Sequence, residues 1–184
     1  TYEGGKLNRS SPSDEWILSH AEGFAPPGTV SGRTMCAVVG SDDTVSGMVY
    51  FDDLNQATLA SSVTVCGVVS NPGFDDGLRG NAYELSLAGL LPGWTWAGGT
   101  NAGYIQVDEK YEGSQSLAIT YPQNVMYQGF SAVTGRTYTF EGYIYTPSVG
   151  SLEGTAYGSL LLEFLYGTDL VSVVESPHFT VSSP

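Results

Sequence analysis

NPGFDDGLRGNAYELSLAGLLPGW, residues 71–94, is the stretch on which the reading of the fold turns. It is dense in Gly, Pro, Asn and Asp, the residues that reverse a chain. On both sides lie short segments in which apolar and polar residues alternate, and no long apolar run keeps helical spacing. That pattern is all-β. The stretch reads as the opening of a β-sandwich domain, yet it begins only at residue 71. What precedes it reads as the end of such a domain.

Working outward, residues 1–15 are polar and rich in turn formers and read as an N-terminal arm or linker. Strands are expected over 16–25, 33–40 and 47–54, with SDDTVSG at 41–47 closing the last two into a hairpin. NQATLASS at 55–62 reads as a soft linker, followed by a strand at 63–70. Residues 86–98 read as a loop that ends in Trp94 and Trp96. Further strands are expected near 102–109, 115–121, 124–133, 136–146, 156–166 and 170–181. Roughly ten strands suit an antiparallel jelly-roll β-sandwich. Residues 16–58 and 59–184 would together make one sandwich, which the 184-residue length supports as a single core.

The net charge is −13 with six basic residues. Phosphate binding needs clustered Lys and Arg, so nucleic acid is excluded as a partner, and anionic membrane surfaces are disfavoured. No run is long enough to insert in a membrane as a helix. An acidic surface either stays solvated or binds divalent cations. The chain begins at Thr1, which suggests a processed, secreted product, extracellular or at the cell surface. Cys36 and Cys66 both sit in strand-like contexts; a disulfide and two buried thiols are the competing readings.

Alternation assigns faces. In 138–145, Phe140 and Ile144 oppose Glu141, Tyr143 and Tyr145; in 160–166, Leu160, Leu162 and Phe164 oppose Leu161, Glu163 and Leu165. In 125–130, Val125 and Tyr127 oppose Met126, Gln128 and Phe130. One face is core, and the other is a polar and aromatic surface carrying Gln128, Glu141, Tyr143 and Glu163. Aromatic rings beside hydrogen-bonding side chains are how sugar grooves work, which singles out Trp96, Tyr127, Gln128, Glu141 and Tyr143. Trp94 and Trp96 have a competing place in the core. Glu141 with Glu163 is the one carboxylate pair to weigh for glycoside hydrolysis, but the pattern is non-specific and the expectation is no enzyme. His20 and His178 are isolated from any Ser or Cys partner.

Three stretches resemble the galactose-binding-like jelly-roll of carbohydrate-binding modules, the broad group that includes families 4, 16 and 22. NPGFDDG with LPGW resembles its opening strand and first tryptophan. YEGSQSLAI at 111–119 and VMYQGFSAVTGRTYTFEGYIYTP at 125–147 resemble its middle, and SGMVYFDDL at 46–54 resembles its last strand. The order is displaced, since the last strand precedes the first. SSP recurs at 10–12 and 182–184, 172 residues apart (182 − 10), so the end of the chain reads into its beginning.

Two solutions satisfy that order: a circular permutant that completes its own sandwich, or a subunit completed by its neighbour. The second propagates, because the contact is heterologous. The leading expectation is therefore a non-catalytic extracellular structural protein whose partners are other copies of itself, polymerising by exchange of β segments. The alternative is a permuted, monomeric carbohydrate-binding module that takes polysaccharide on its concave face. The resemblance also implies a structural calcium, ligated here by Asp52, Asp75 and an oxygen near Gly113 to Gln115, with Gln115 as the side-chain candidate. The competing reading is solvated turn aspartates.

Overall fold

The computed structural model describes residues 14–40, 47–60, 63–67, 69–150, 152 and 156–176, with backbone alone for Ala60 and residues 63–67. The expected arm up to residue 13, the centre of the 41–47 turn, Asp42, Asp43, His178 and both SSP segments lie outside the described residues.

The strands are β1 (Trp16–Phe24), β2 (Ser31–Val39), β3 (Val49–Ala60), β4 (Val63–Gly67), β5 (Gly80–Asn81) and β6 (Thr95–Ala97). They continue as β7 (Gly103–Gln106), β8 (Ser116–Ile119), β9 (Asn124–Ser131), β10 (Thr137–Tyr145), β11 (Tyr157–Tyr166) and β12 (Asp169–Glu175). One short helix, α1 (Ala82–Leu87), interrupts them. The seven-stranded sheet runs β1-β10-β3-β8-β7-β5, with β4 also on β3; the five-stranded sheet runs β12-β11-β2-β9-β6. All pairings are antiparallel, and the two sheets face each other as a sandwich.

The period-2 pattern explains the packing. β10 buries Tyr138, Phe140, Gly142 and Ile144 and turns Thr139, Glu141 and Tyr143 outward. β11 buries Leu160, Leu162 and Phe164 from the opposite sheet, where Met126 and Cys36 join them. Each such fully buried side chain contributes about 1.5–3 kcal/mol of hydrophobic transfer. Leu165 is buried on the side of β11 opposite Phe164, since β11 keeps an unbroken register with β2 through this residue.

Residues 16–60 are interleaved with the later strands of the same chain. β1 pairs with β10, β3 with β8 and β10, and β2 lies between β11 and β9. The expected 33–54 hairpin does not form, since β2 and β3 belong to different sheets. Nor is 55–60 a linker: β3 continues to Ala60 and pairs antiparallel with β4. Cys36 is a free, buried thiol, in contrast to the expected bridge to Cys66. Desolvation holds that thiol well above its ordinary pKa. The Cys66 backbone lies in β4, on the other sheet, and its side chain is outside the described residues.

The opening stretch is not a strand. Residues 71–79 are turns and bends, with Asn71 at φ +51° and Phe74 at φ +57°. Asn71 organises them. Its side chain bonds both ways to Asp76, at 2.8 Å each, and its carbonyl accepts from the Trp94 indole at 3.0 Å. Phe74 is wholly buried against Trp94, with ring centroids 5.1 Å apart. Helix α1 follows, capped by the Asn81 side chain, which accepts from the Tyr83 and Glu84 amides. Phe74→Ala is expected to cost about 3–5 kcal/mol, measured by urea unfolding, because ring burial against Trp94 is what fixes the 71–79 turns.

Candidate functional site

A β-bulge decides which side chains of β3 reach the surface. Tyr143 lies opposite Asp52 and Glu141 opposite Asn55, so β3 carries one extra residue, with Asp53 at φ +47°. Asp52 therefore lies on the outer face, Leu54 turns into the core, and Asn55 returns outward. Without the extra residue, Asp52 and Leu54 would share a face.

Asp52 has no solvent exposure. It is roofed by the 107–115 loop: its Oδ2 accepts from Tyr111 N at 2.7 Å and Glu112 N at 3.2 Å, and its Oδ1 from Asp53 N at 2.8 Å. Asp75 grips the same loop further on. Its Oδ1 accepts from Ser114 N at 2.6 Å, Ser114 Oγ at 2.9 Å and Gln115 N at 2.9 Å. The two carboxylates meet over Gly73, where a Cβ would stand 3.1 Å from Asp75 Oδ2 and 3.3 Å from Asp52 Oδ1. Gly113, at φ +63°, is confined to glycine twice over, because a Cβ there would overlap Asp75 Oδ2.

The structure thus brings Asp52, Asp75 and Gln115 together. Gln115 is 5% exposed, and its Nε2 donates to the Asp75 carbonyl at 3.1 Å. Its Oε1 is buried with no hydrogen-bond partner. A buried orphan oxygen on a residue bonded to Asp75, whose carboxylate shares the space over Gly73 with that of Asp52, is oxygen chemistry that fits a hard cation. Among the described residues no three His, Cys, Asp or Glu side chains converge, so a cation here would need Gln115 Oε1 as a ligand. The main chain at 114–115 turns N–H groups toward Asp75, where an oxygen ligand was expected. Burial, opposed by the three amide donors and reinforced by the Asp75 charge, raises the Asp52 carboxyl to about 6.

Beside this clasp, the outer face of the seven-stranded sheet carries a depression of about 450 Å³ lined by Leu18, Asp53, Asn55, Pro72, Glu141 and Tyr143. Tyr143 is stacked on Tyr111, centroids 3.5 Å apart and planes 13° from parallel. The adjacent Tyr143 hydroxyl, together with desolvation, pushes Tyr111 up to about 12. Trp16 meets Tyr111 edge-on at 6.2 Å and continues to Tyr145 and Tyr50. Asn55 Nδ2 donates to Glu141 Oε1 at 3.2 Å, and His20 Nδ1 lies 3.8 Å from Glu141 Oε2.

The other residues expected in a groove are elsewhere. Trp96 is core, 7% exposed, with its indole bonded to Gly99 O. Gln128 points to the sheet's inner rim, where its amide is spent on the Ser70 backbone in both directions, 2.7 and 3.0 Å. Tyr127 lies on the outer face of the five-stranded sheet under the Arg33 guanidinium, 4.8 Å from the ring centroid. Arg33 also contacts Glu163 at 3.4 Å. Glu141 and Glu163 are therefore on opposite outer faces with the sandwich between them, and cannot flank one glycosidic bond. Sequence reasoning passed over Asn55, placed in a linker, and Tyr111, named only within YEGSQSLAI; the bulge returns Asn55 to the surface, and the loop held by Asp52 brings Tyr111 onto Tyr143. Comparison with protein-family models, curated proteins and solved structures finds no match for this chain.

Because Asp52 binds its proton more tightly folded than unfolded, its contribution is fully present below about pH 4 and is lost as pH rises through about 6. In chelator, the stability difference between wild type and Asp52→Asn is expected to change by up to about 3 kcal/mol across pH 4–7, in the direction that penalises wild type at high pH. Urea unfolding of both proteins across that range checks it.

Proposed function

We propose that the chain is a self-contained, non-catalytic module that binds polysaccharide on the outer face of its seven-stranded sheet. In this reading it is a jelly roll permuted within one chain and works outside the cell. The observation that carries the proposal is the depression in which Tyr143, braced by Tyr111, stands beside Asp53, Asn55 and Glu141. Sugar rings present apolar C–H faces to aromatic and aliphatic surface, here Tyr143, Leu18 and Pro72, and hydroxyls to carboxylates and amides. Glu141 is held in place by Asn55, so little side-chain freedom is left to lose on binding. The intrachain pairing of β1, β2 and β3 supports self-containment.

A structural calcium belongs to the same proposal. Asp52, Asp75 and Gln115 Oε1 would hold it, and its charge would relieve the strain of two adjacent carboxylates at the joint of three chain segments. Calcium is expected to raise Tm, and Gln115→Leu, which removes the orphan oxygen, to abolish that rise; calorimetry with and without chelator decides.

A second reading, assembly of copies by exchanged or added strands, is favoured by the sheet edges. β1 and β12 are edge strands lying side by side. They expose Leu18, Phe24, Leu170, Val171 and Val173, unpaired backbone beside apolar surface. For the binding proposal, Tyr143→Ala and Asn55→Ala are each expected to weaken retention on insoluble polysaccharide at least tenfold with unchanged Tm. Retention equal to wild type in both variants would overturn it.

A further inference from the structure

We propose that the pocket formed by the 98–102 and 121–124 loops is a second saccharide-binding subsite, distinct from the Tyr143 face. The inference rests on the polysaccharide reading above and uses none of its residues. The pocket has a volume of about 380 Å³ and is lined by Asn101, Ala102, Tyr121, Pro122, Gln123 and Asn124, with Gly99. In a chain with 19 acidic residues, no charged side chain lines it. A neutral ligand fits such a lining and an ion does not.

The walls are fixed and the lining is presented. Asn124, 6% exposed, ties the two loops together. Its Oδ1 accepts from Gly99 N at 2.7 Å, and its Nδ2 donates to Tyr121 O and Pro122 O at 2.9 Å each. Asn81 Nδ2 holds the Thr100 carbonyl at 2.5 Å, and Trp96 Nε1 holds that of Gly99 at 3.1 Å. Against this frame Tyr121 is 43% exposed and Gln123 is exposed.

Gln123 is the decisive residue. It follows Pro122 at φ +62°, in the φ pattern of a type II turn, whose second corner favours glycine. The turn itself therefore explains a glycine and not a glutamine. A glutamine held in the left-handed region carries backbone strain. Gln123 lines the pocket with Asn101 and Tyr121, and two amide-bearing residues beside a tyrosine suit the vicinal hydroxyls and apolar face of a sugar.

The test is an NMR titration of the isotope-labelled full chain with neutral hexasaccharides of β-1,4-linked glucose, xylose and mannose, together with Gln123→Gly. Amide shifts at 99–102 and 121–124 are expected with at least one of the three. Gln123→Gly should raise Tm by a few degrees by releasing strain, while weakening the shifts at these loops at least tenfold. Shifts at the loops without any at 53–55 and 141–143 would support this subsite and count against the Tyr143 groove. Shifts at 53–55 and 141–143 alone would overturn the subsite and leave the groove standing. Shifts at neither place would overturn both. A Gln123→Gly protein with wild-type affinity, or with Tm unchanged or lowered, would overturn the role given to Gln123.

Discussion

The Asp52 carboxylate is the interaction on which the rest depends. It is charged at neutral pH, fully buried, and next to a second carboxylate, a placement that costs free energy unless every lone pair is used. The chain answers with backbone amides. Tyr111, Glu112 and Asp53 serve Asp52, and Ser114 and Gln115 serve Asp75. In doing so they bind β3, the 71–76 turns and the 107–115 loop into one joint. These segments are far apart in sequence and belong to the early, middle and later parts of the chain. The Gln115 side-chain oxygen is buried in the joint without a hydrogen-bond partner, and the proposed calcium would give it one.

From that joint the outer face follows. The bulge at Asp53 puts Asp52 under the loop and returns Asn55 to the surface beside Glu141. The loop that Asp52 holds carries Tyr111, and Tyr111 braces Tyr143. The proposed groove is therefore a consequence of the clasp: release the loop and Tyr143 loses the ring that fixes its plane. The second pocket is built independently, from Asn124 and Trp96 at another end of the sandwich.

What the sequence made legible was whatever repeats every two residues. Phe140, Ile144, Leu160, Leu162 and Phe164 fall inward as alternation requires, and the all-β sandwich follows from them. The grouping of Asp52, Asp75 and Gln115 was legible too, through resemblance. The bulge was not, because nothing in FDDLNQ marks where parity changes, and Asn55 was lost with it. Gln128 was misplaced because its partner is the backbone of Ser70, 58 residues away. Alternation put it beside Met126 and Phe130, but its polarity argued for the surface. Helix α1 was missed because its six residues are too few to show a period, although Asn81, Glu84 and Gly89 spell a start and a stop.

The central claim is that residues 16–60 complete the sandwich of their own chain. Light scattering coupled to size exclusion tests it most directly, over a hundredfold range of protein concentration with calcium and with chelator. The account predicts a single species at the chain mass of 19.5 kDa throughout. A ladder of multiples of that mass would contradict it and transfer the same strand pairings to neighbouring copies.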